Sequence, residues 1–343
     1  DKGLSGAESK VSSFAGKIGK AAKVAGGAAG AAGGAALAVG FATNLSTESA
    51  AAKLSAQLGS TGSLSKAAGE AAGKLYADGY GENLGAVNDA VRAVVQSGAL
   101  MGDESSAAIE KISKGAINLA AIMGTDVQGS MNAVAQMVKT GLAPNAEVAM
   151  DILEKGFQVG NDKAGDLLDT FNEYGTQFRK LGLDGQTAMG IIQQGLKAGA
   201  RDADVVADAI KEFAIRAVDG SKLTGEGFQA IGLSADDMAS KIAAGGPTAA
   251  AALDLTLDRL RAMKDPVAQS AAAVALFGTQ AEDLGKALIA IDPSSAVAGL
   301  GQFQGTMKQV DAATTTTETK ITVIQRAVEG WTASLASSKG PLG

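Results

Sequence analysis

Apolar residues recur along most of this chain at spacings of three and four, the period of one helix face. From about Thr47 to Gly220, Val and Ile are scattered at that spacing, and the alternating runs that mark strands are almost absent. A loose pattern recurs in this stretch: two apolar residues, two polar residues, a glycine, and a second breaker a few positions on. It runs Val94-Val95-Gln96-Ser97-Gly98, Met137-Val138-Lys139-Thr140-Gly141, Ile152-Leu153-Glu154-Lys155-Gly156 and Ile191-Ile192-Gln193-Gln194-Gly195. Gly98, Gly141, Gly156 and Gly195 are therefore expected to end helices, where positive φ favours a residue without Cβ. Asn145, Asn161 and Asp202 suit the N-caps of the helices that follow.

The last two copies extend into a longer match at a constant offset of 39. Ala149-Met150 aligns with Ala188-Met189, Gly160 with Gly199, Asp169 with Asp208 and Glu173 with Glu212. That spacing predicts a degenerate helix–turn–helix repeat. Beyond it, Ser234 starts one helix, and Thr248 caps another running through Leu253, Leu257 and Leu260 to Asp265-Pro266. A break at Phe277-Gly278-Thr279 precedes a helix from Gln280 to Ile291, closed by Asp292-Pro293. Ile321, Ile324, Val328, Trp331 and Leu335 predict a last helix with one apolar stripe. Phe157, Phe171, Tyr174, Phe178, Phe213 and Phe277 are the large side chains expected in the core.

The N-terminus differs. Residues 9–25 read as a short amphipathic helix, with Lys2, Lys10, Lys17, Lys20 and Lys23 in a basic first segment. No residue from Val24 to Thr47 is charged, a length that would cross a hydrocarbon core if helical. Gly26, Gly30 and Gly34 fall on one helix face, the kind of ridge that lets membrane helices approach, and Leu37 and Phe41 follow. A flexible Gly/Ala linker fits the same composition. The expected fold is all-α: glycine-punctuated helical hairpins in one or two helical domains behind a flexible or membrane-competent N-terminal segment. The expected divisions are 1–46, 47–220, 221–310 and 311–343.

Composition narrows the chemistry. The chain has 343 residues with no His and no Cys, which removes disulfides, thiolate sites, Cys nucleophiles and Ser–His–Asp catalysis. Carboxylate-only and Ser–Lys catalysis remain open. Aromatics are only 4% while Gly numbers 46, so thin helical layers are expected rather than one large core. A net charge of −6 argues against a sequence-specific nucleic-acid binder. The pairs Asp166/Asp169 and Asp202/Asp204 suit helix starts. Asn161 to Asp166 lacks the oxygen spacing of a calcium loop, and no phosphate loop is present. No cofactor, metal or enzymatic activity is expected.

Gly156-Phe157-Gln158-Val159-Gly160-Asn161, Leu181-Gly182-Leu183, Ala230-Ile231-Gly232-Leu233-Ser234, Ala244-Gly245-Gly246 and the run from Ala275 to Leu284 resemble, in that order, the core region of phage tail tape measure proteins. The likeness covers roughly residues 80–310. It implies a structural virion component in the tail tube lumen or at the tail tip, whose length sets tail length. It implies as partners copies of itself, tail tube and tail tip proteins, assembly chaperones and, during genome delivery, the host membrane and envelope. The chain opens on Asp1 and is short for that family, so an excerpt is expected. Its glycine breaks imply a compact helical part rather than the ruler. A pore-forming or membrane-inserting effector using residues 24–47 is the alternative, and a peptidoglycan-cleaving enzyme acting through carboxylates is a third.

Overall fold

A computed structural model describes residues 52–59, 62–301, 303, 305, 306, 322, 323 and 326. Among them the chain forms helices and turns, with no strand. A short helical stretch at 52–58 precedes fourteen helices, numbered here in chain order. They are α1 (Ser63–Ala77), α2 (Leu84–Ser97), α3 (Ser106–Met123), α4 (Val127–Thr140), α5 (Ala146–Gln158), α6 (Leu167–Lys180) and α7 (Gly185–Lys197). There follow α8 (Ala203–Arg216), α9 (Lys222–Ala230), α10 (Ala235–Ala244), α11 (Gly246–Arg261), α12 (Pro266–Phe277), α13 (Gln280–Leu284) and α14 (Lys286–Ala290). The N-terminal amphipathic helix, the uncharged segment with Gly26, Gly30, Gly34, Leu37 and Phe41, and the C-terminal stripe of Ile321, Ile324, Val328, Trp331 and Leu335 lie outside the described residues.

The chain divides into two compact units. Among the described residues, one comprises 52–59, 62–92, 104–114, 322, 323 and 326, the other 93–103, 115–301, 303, 305 and 306. In the first, Lys74 pairs with Glu110 at 2.7 Å. The Arg326 guanidinium lies 4.2 Å from the centre of the Tyr76 ring and donates to the carbonyls of Tyr76 (2.7 Å) and Tyr80 (3.0 Å). A cation thus caps the C-terminal end of α1, where the helix dipole favours it.

The second unit stacks its helices in two rows. α6 lies between α4 and α8 in one row; α7 lies between α5 and α14 in the other. α8 also packs on α7, α12 and α13, while α9 pairs with α12 and α10 with α11. Local sequence sets the helix starts. Asp126, Asn145, Asp184, Asp202, Ser221, Ser234 and Asp265 each accept a backbone N–H of the first turn, at 2.7 to 3.3 Å.

Three expected boundaries move. Thr248 lies inside α11, which starts at Gly246; Gly245 serves both as the end of α10 and as the start of α11. α11 ends at Arg261, and Asp265 caps a separate α12. The stretch from Gln280 to Ile291 is two five-residue helices parted by Gly285, whose φ of 50° and ψ of −117° only glycine adopts easily.

Candidate functional site

The offset of 39 is visible in the backbone. α5 and α7 begin and end 39 residues apart, as do their capping residues Asn145 and Asp184. Their C-terminal turns close with matching bonds. Asn161 N–H donates to the Gly156 carbonyl and Ala200 N–H to that of Gly195, both at 2.9 Å. These are the six-to-one bonds of a Schellman ending, with Gly160 (φ 81°) and Gly199 (φ 110°) in the left-handed position.

Gly156 and Gly195 therefore do not end helices; both lie buried inside them. Each is a seat for a neighbouring helix. A methyl on Gly195 would sit 2.6 Å from Val206 Cγ2 of α8, and one on Gly156 would lie 3.1 Å from Leu167 Cδ2 of α6 and overlap the Met189 terminus. Leu167 and Val206 are themselves 39 apart, so the same helix-to-helix contact is built twice. Gly98 (φ 79°) and Gly141 (φ 78°) follow the last residues of α2 and α4 in left-handed turns.

The aromatic residues separate into two clusters. Phe171 and Phe178 on α6 lie 6.1 Å apart, centre to centre. Phe213 of α8 stacks on Phe277 of α12 at 4.9 Å and meets Phe228 of α9 edge-on at 6.4 Å. All five are fully buried. Phe228 was not singled out in the sequence; it lies three residues before Ile231 on a short helix. Phe157 is a correction: it is half-buried on the flank of α5. Gly156 takes the core-facing position there, and the next residue is turned about 100° away.

Tyr174 is buried and donates to Asp204 Oδ1 at 3.0 Å, and burial followed by that bond pushes its pKa up. Asp166 stands at the start of α6, yet its Oδ2 accepts the N–H of Asp204 at 2.9 Å and so serves the first turn of α8. Burial raises its pKa as well. The Asp166 and Asp202/Asp204 carboxylates thus act at helix starts and bind neighbouring helices together. Asn161 is a second correction. It is buried, and its Nδ2 donates across to the Met189 carbonyl at 3.2 Å. The helix start it was expected to cap is served by Asp162, which accepts the Leu167 N–H at 2.9 Å.

Glu154 had no distinguishing signal in the sequence. It is fully buried on α5; Oε1 accepts from Gln158 at 2.9 Å, and Oε2 has no hydrogen-bond donor among the described residues. Burial, then the charge of Asp151, pushes its pKa up to about 7.

A shallow cleft of about 290 Å³ lies between the turn at Gly182 to Asp184, α11 and residues 293–294. Its two carboxylates are engaged: Asp184 caps α7, and Asp254 accepts the Ser294 N–H at 3.3 Å. Among the described residues no group of three His, Cys, Asp or Glu side chains is placed to hold a metal ion, and no helix is long and apolar enough to cross a membrane.

The chain is 44% identical over 309 residues to the probable tape measure protein of Streptomyces phage phiC31; the match covers 89% of this chain and 41% of that protein. The chain thus spans about two-fifths of that relative's length. No solved structure matches it. The family described as phage-related minor tail protein matches residues 76–278, from the end of α1 to the glycine that ends α12. The chain belongs to the phage-related minor tail protein family.

Proposed function

We propose that this chain is the compact helical part of a tape measure protein, a structural, non-enzymatic component of the phage tail that takes part in setting tail length and in delivering the genome. The 44% identity to the probable tape measure protein of phage phiC31 carries this reading. It lies in the tail tube lumen or at the tail tip, against copies of itself and against tube and tip proteins, with chaperones attending its assembly. During infection it meets the host envelope.

The physical basis for the role of residues 62–301 is their punctuation. The longest described helix has 18 residues, about 27 Å at 1.5 Å per residue. Glycine turns follow twelve of the fourteen helices, α11 and α14 being the exceptions, so this region contributes contacts and is not a straight ruler. Interrupting the reading frame in the phage and imaging the particles tests the assignment. The expected result is loss of tails or tubes of unregulated length. Normal tails of unchanged length would refute it.

A further inference from the structure

Residues 291–301 leave α14 and cross α7 and α11 as a run of turns. They are gripped largely by the main chain. From α7, Gln194 Oε1 accepts the Asp292 N–H at 2.8 Å, and Nε2 donates to the Asp292 carbonyl at 3.0 Å. From α11, Arg261 donates Nη2 to the Ile291 carbonyl at 2.7 Å and Nε to the Ile289 carbonyl at 3.1 Å. Gly190 of α7 completes the seat: a methyl there would overlap the carbonyl and the methyl of Ala296.

The segment also holds its own shape. The Asp292 carboxylate accepts from the hydroxyls of Ser294 (2.6 Å) and Ser295 (2.7 Å), and these bonds pull its pKa down. A turn closed by internal bonds is suited to move as one body, and it is seated by the buried side chains of Ile291, Ala296 and Leu300 as well as by these polar contacts. The helices beneath have packing partners of their own. α7 is capped by Asp184 and packs on α5 and α8, and α11 packs on α10.

We propose that residues 291–301 are a strap that disengages from α7 and α11 as a unit, released or held by Arg261, Gln194 and the Gly190 recess, while those helices stay folded. Release adds a connector of about 35 Å when extended, at roughly 3.3 Å per residue, without unfolding the helical rows. The chain gains reach from the compact unit at constant secondary structure.

Hydrogen exchange on the whole chain tests this, in the parent protein and in Arg261→Gln and Gly190→Ala. Arg261 bonds the carbonyls of Ile289 and Ile291 and the Asp258 carboxylate of its own helix, and neither it nor Gly190 bonds an N–H of this segment. Faster exchange at Asp292 and Ser294 in either variant therefore reports release of the strap and not loss of one bond. The expected result is exchange about tenfold faster or more throughout 291–301, a modest change in local opening, with α7 and α11 amides unchanged. Acceleration of α7 and α11 together with the strap would overturn the proposal. So would unchanged exchange across 291–301 in both variants. Should Gly190→Ala misfold, as circular dichroism would reveal, Arg261→Gln alone decides.

Discussion

Glu154→Gln should stabilise the protein at pH 8 and leave it nearly unchanged near pH 4. The carboxyl is fully buried, with one oxygen bonded to Gln158 and the other without a donor among the described residues. Burial and Asp151 raise its pKa from 4.5 to about 7. For a group whose folded pKa lies above its unfolded value, the folded state binds more protons between the two. Stability is therefore fully present below pH 4.5 and is lost as pH rises through about 7. A shift of this size corresponds to up to about 3 kcal/mol once both states are ionised. Glutamine keeps the shape and the acceptor for Gln158 but cannot ionise. Urea unfolding of both proteins at a series of pH values would show a difference that opens between pH 4.5 and about 7 and is flat above. A difference independent of pH, or a variant weaker than the parent at pH 8, would refute the reasoning.

Other substitutions test the packing. Gly195→Ala should destabilise by about 1–3 kcal/mol, because the methyl meets Val206, a side chain with one preferred rotamer in a helix. Gly156→Ala should cost less, since Met189 can swing away and alanine gains about 1 kcal/mol of helix propensity; urea midpoints compare the two. Phe213→Ala, which empties the stack with Phe277 and Phe228, should cost about 3–5 kcal/mol in the same assay. Ser234→Ala removes the cap of α10 and should cost about 1 kcal/mol, read as a lowered thermal midpoint.

Much of this architecture is written in local pattern. The helical period, the caps at Asn145, Asp202 and Ser234, and the offset of 39 need only neighbouring residues to be seen, and each has a counterpart in the backbone. Glycine was harder to read. A glycine that seats a neighbouring helix and one that ends its own helix look alike in sequence. Gly156 and Gly195 are of the first kind, and the true endings lie four residues later at Gly160 and Gly199. Asn161 stands where a cap is expected, but its amide is spent on the Met189 carbonyl, a partner 28 residues away. Glu154 falls among residues that read as a polar pair, and nothing local marks it as buried. The strap at 291–301 was also hidden. Asp292-Pro293 reads as a terminator, whereas the grip on it comes from Gln194, 98 residues earlier. What escaped sequence reading is what depends on tertiary partners.

Tail length in phage carrying an internal deletion tests the central claim most directly. Residues 115–312 form most of one compact unit. As a single straight helix they would span about 300 Å at 1.5 Å per residue. If glycine-seated hairpins keep this region compact in the tail, electron micrographs of phage lacking it should show tails shortened by far less than that span. Tails shorter by the full span of about 300 Å would mean that the region is paid out as a rod, and would contradict the account.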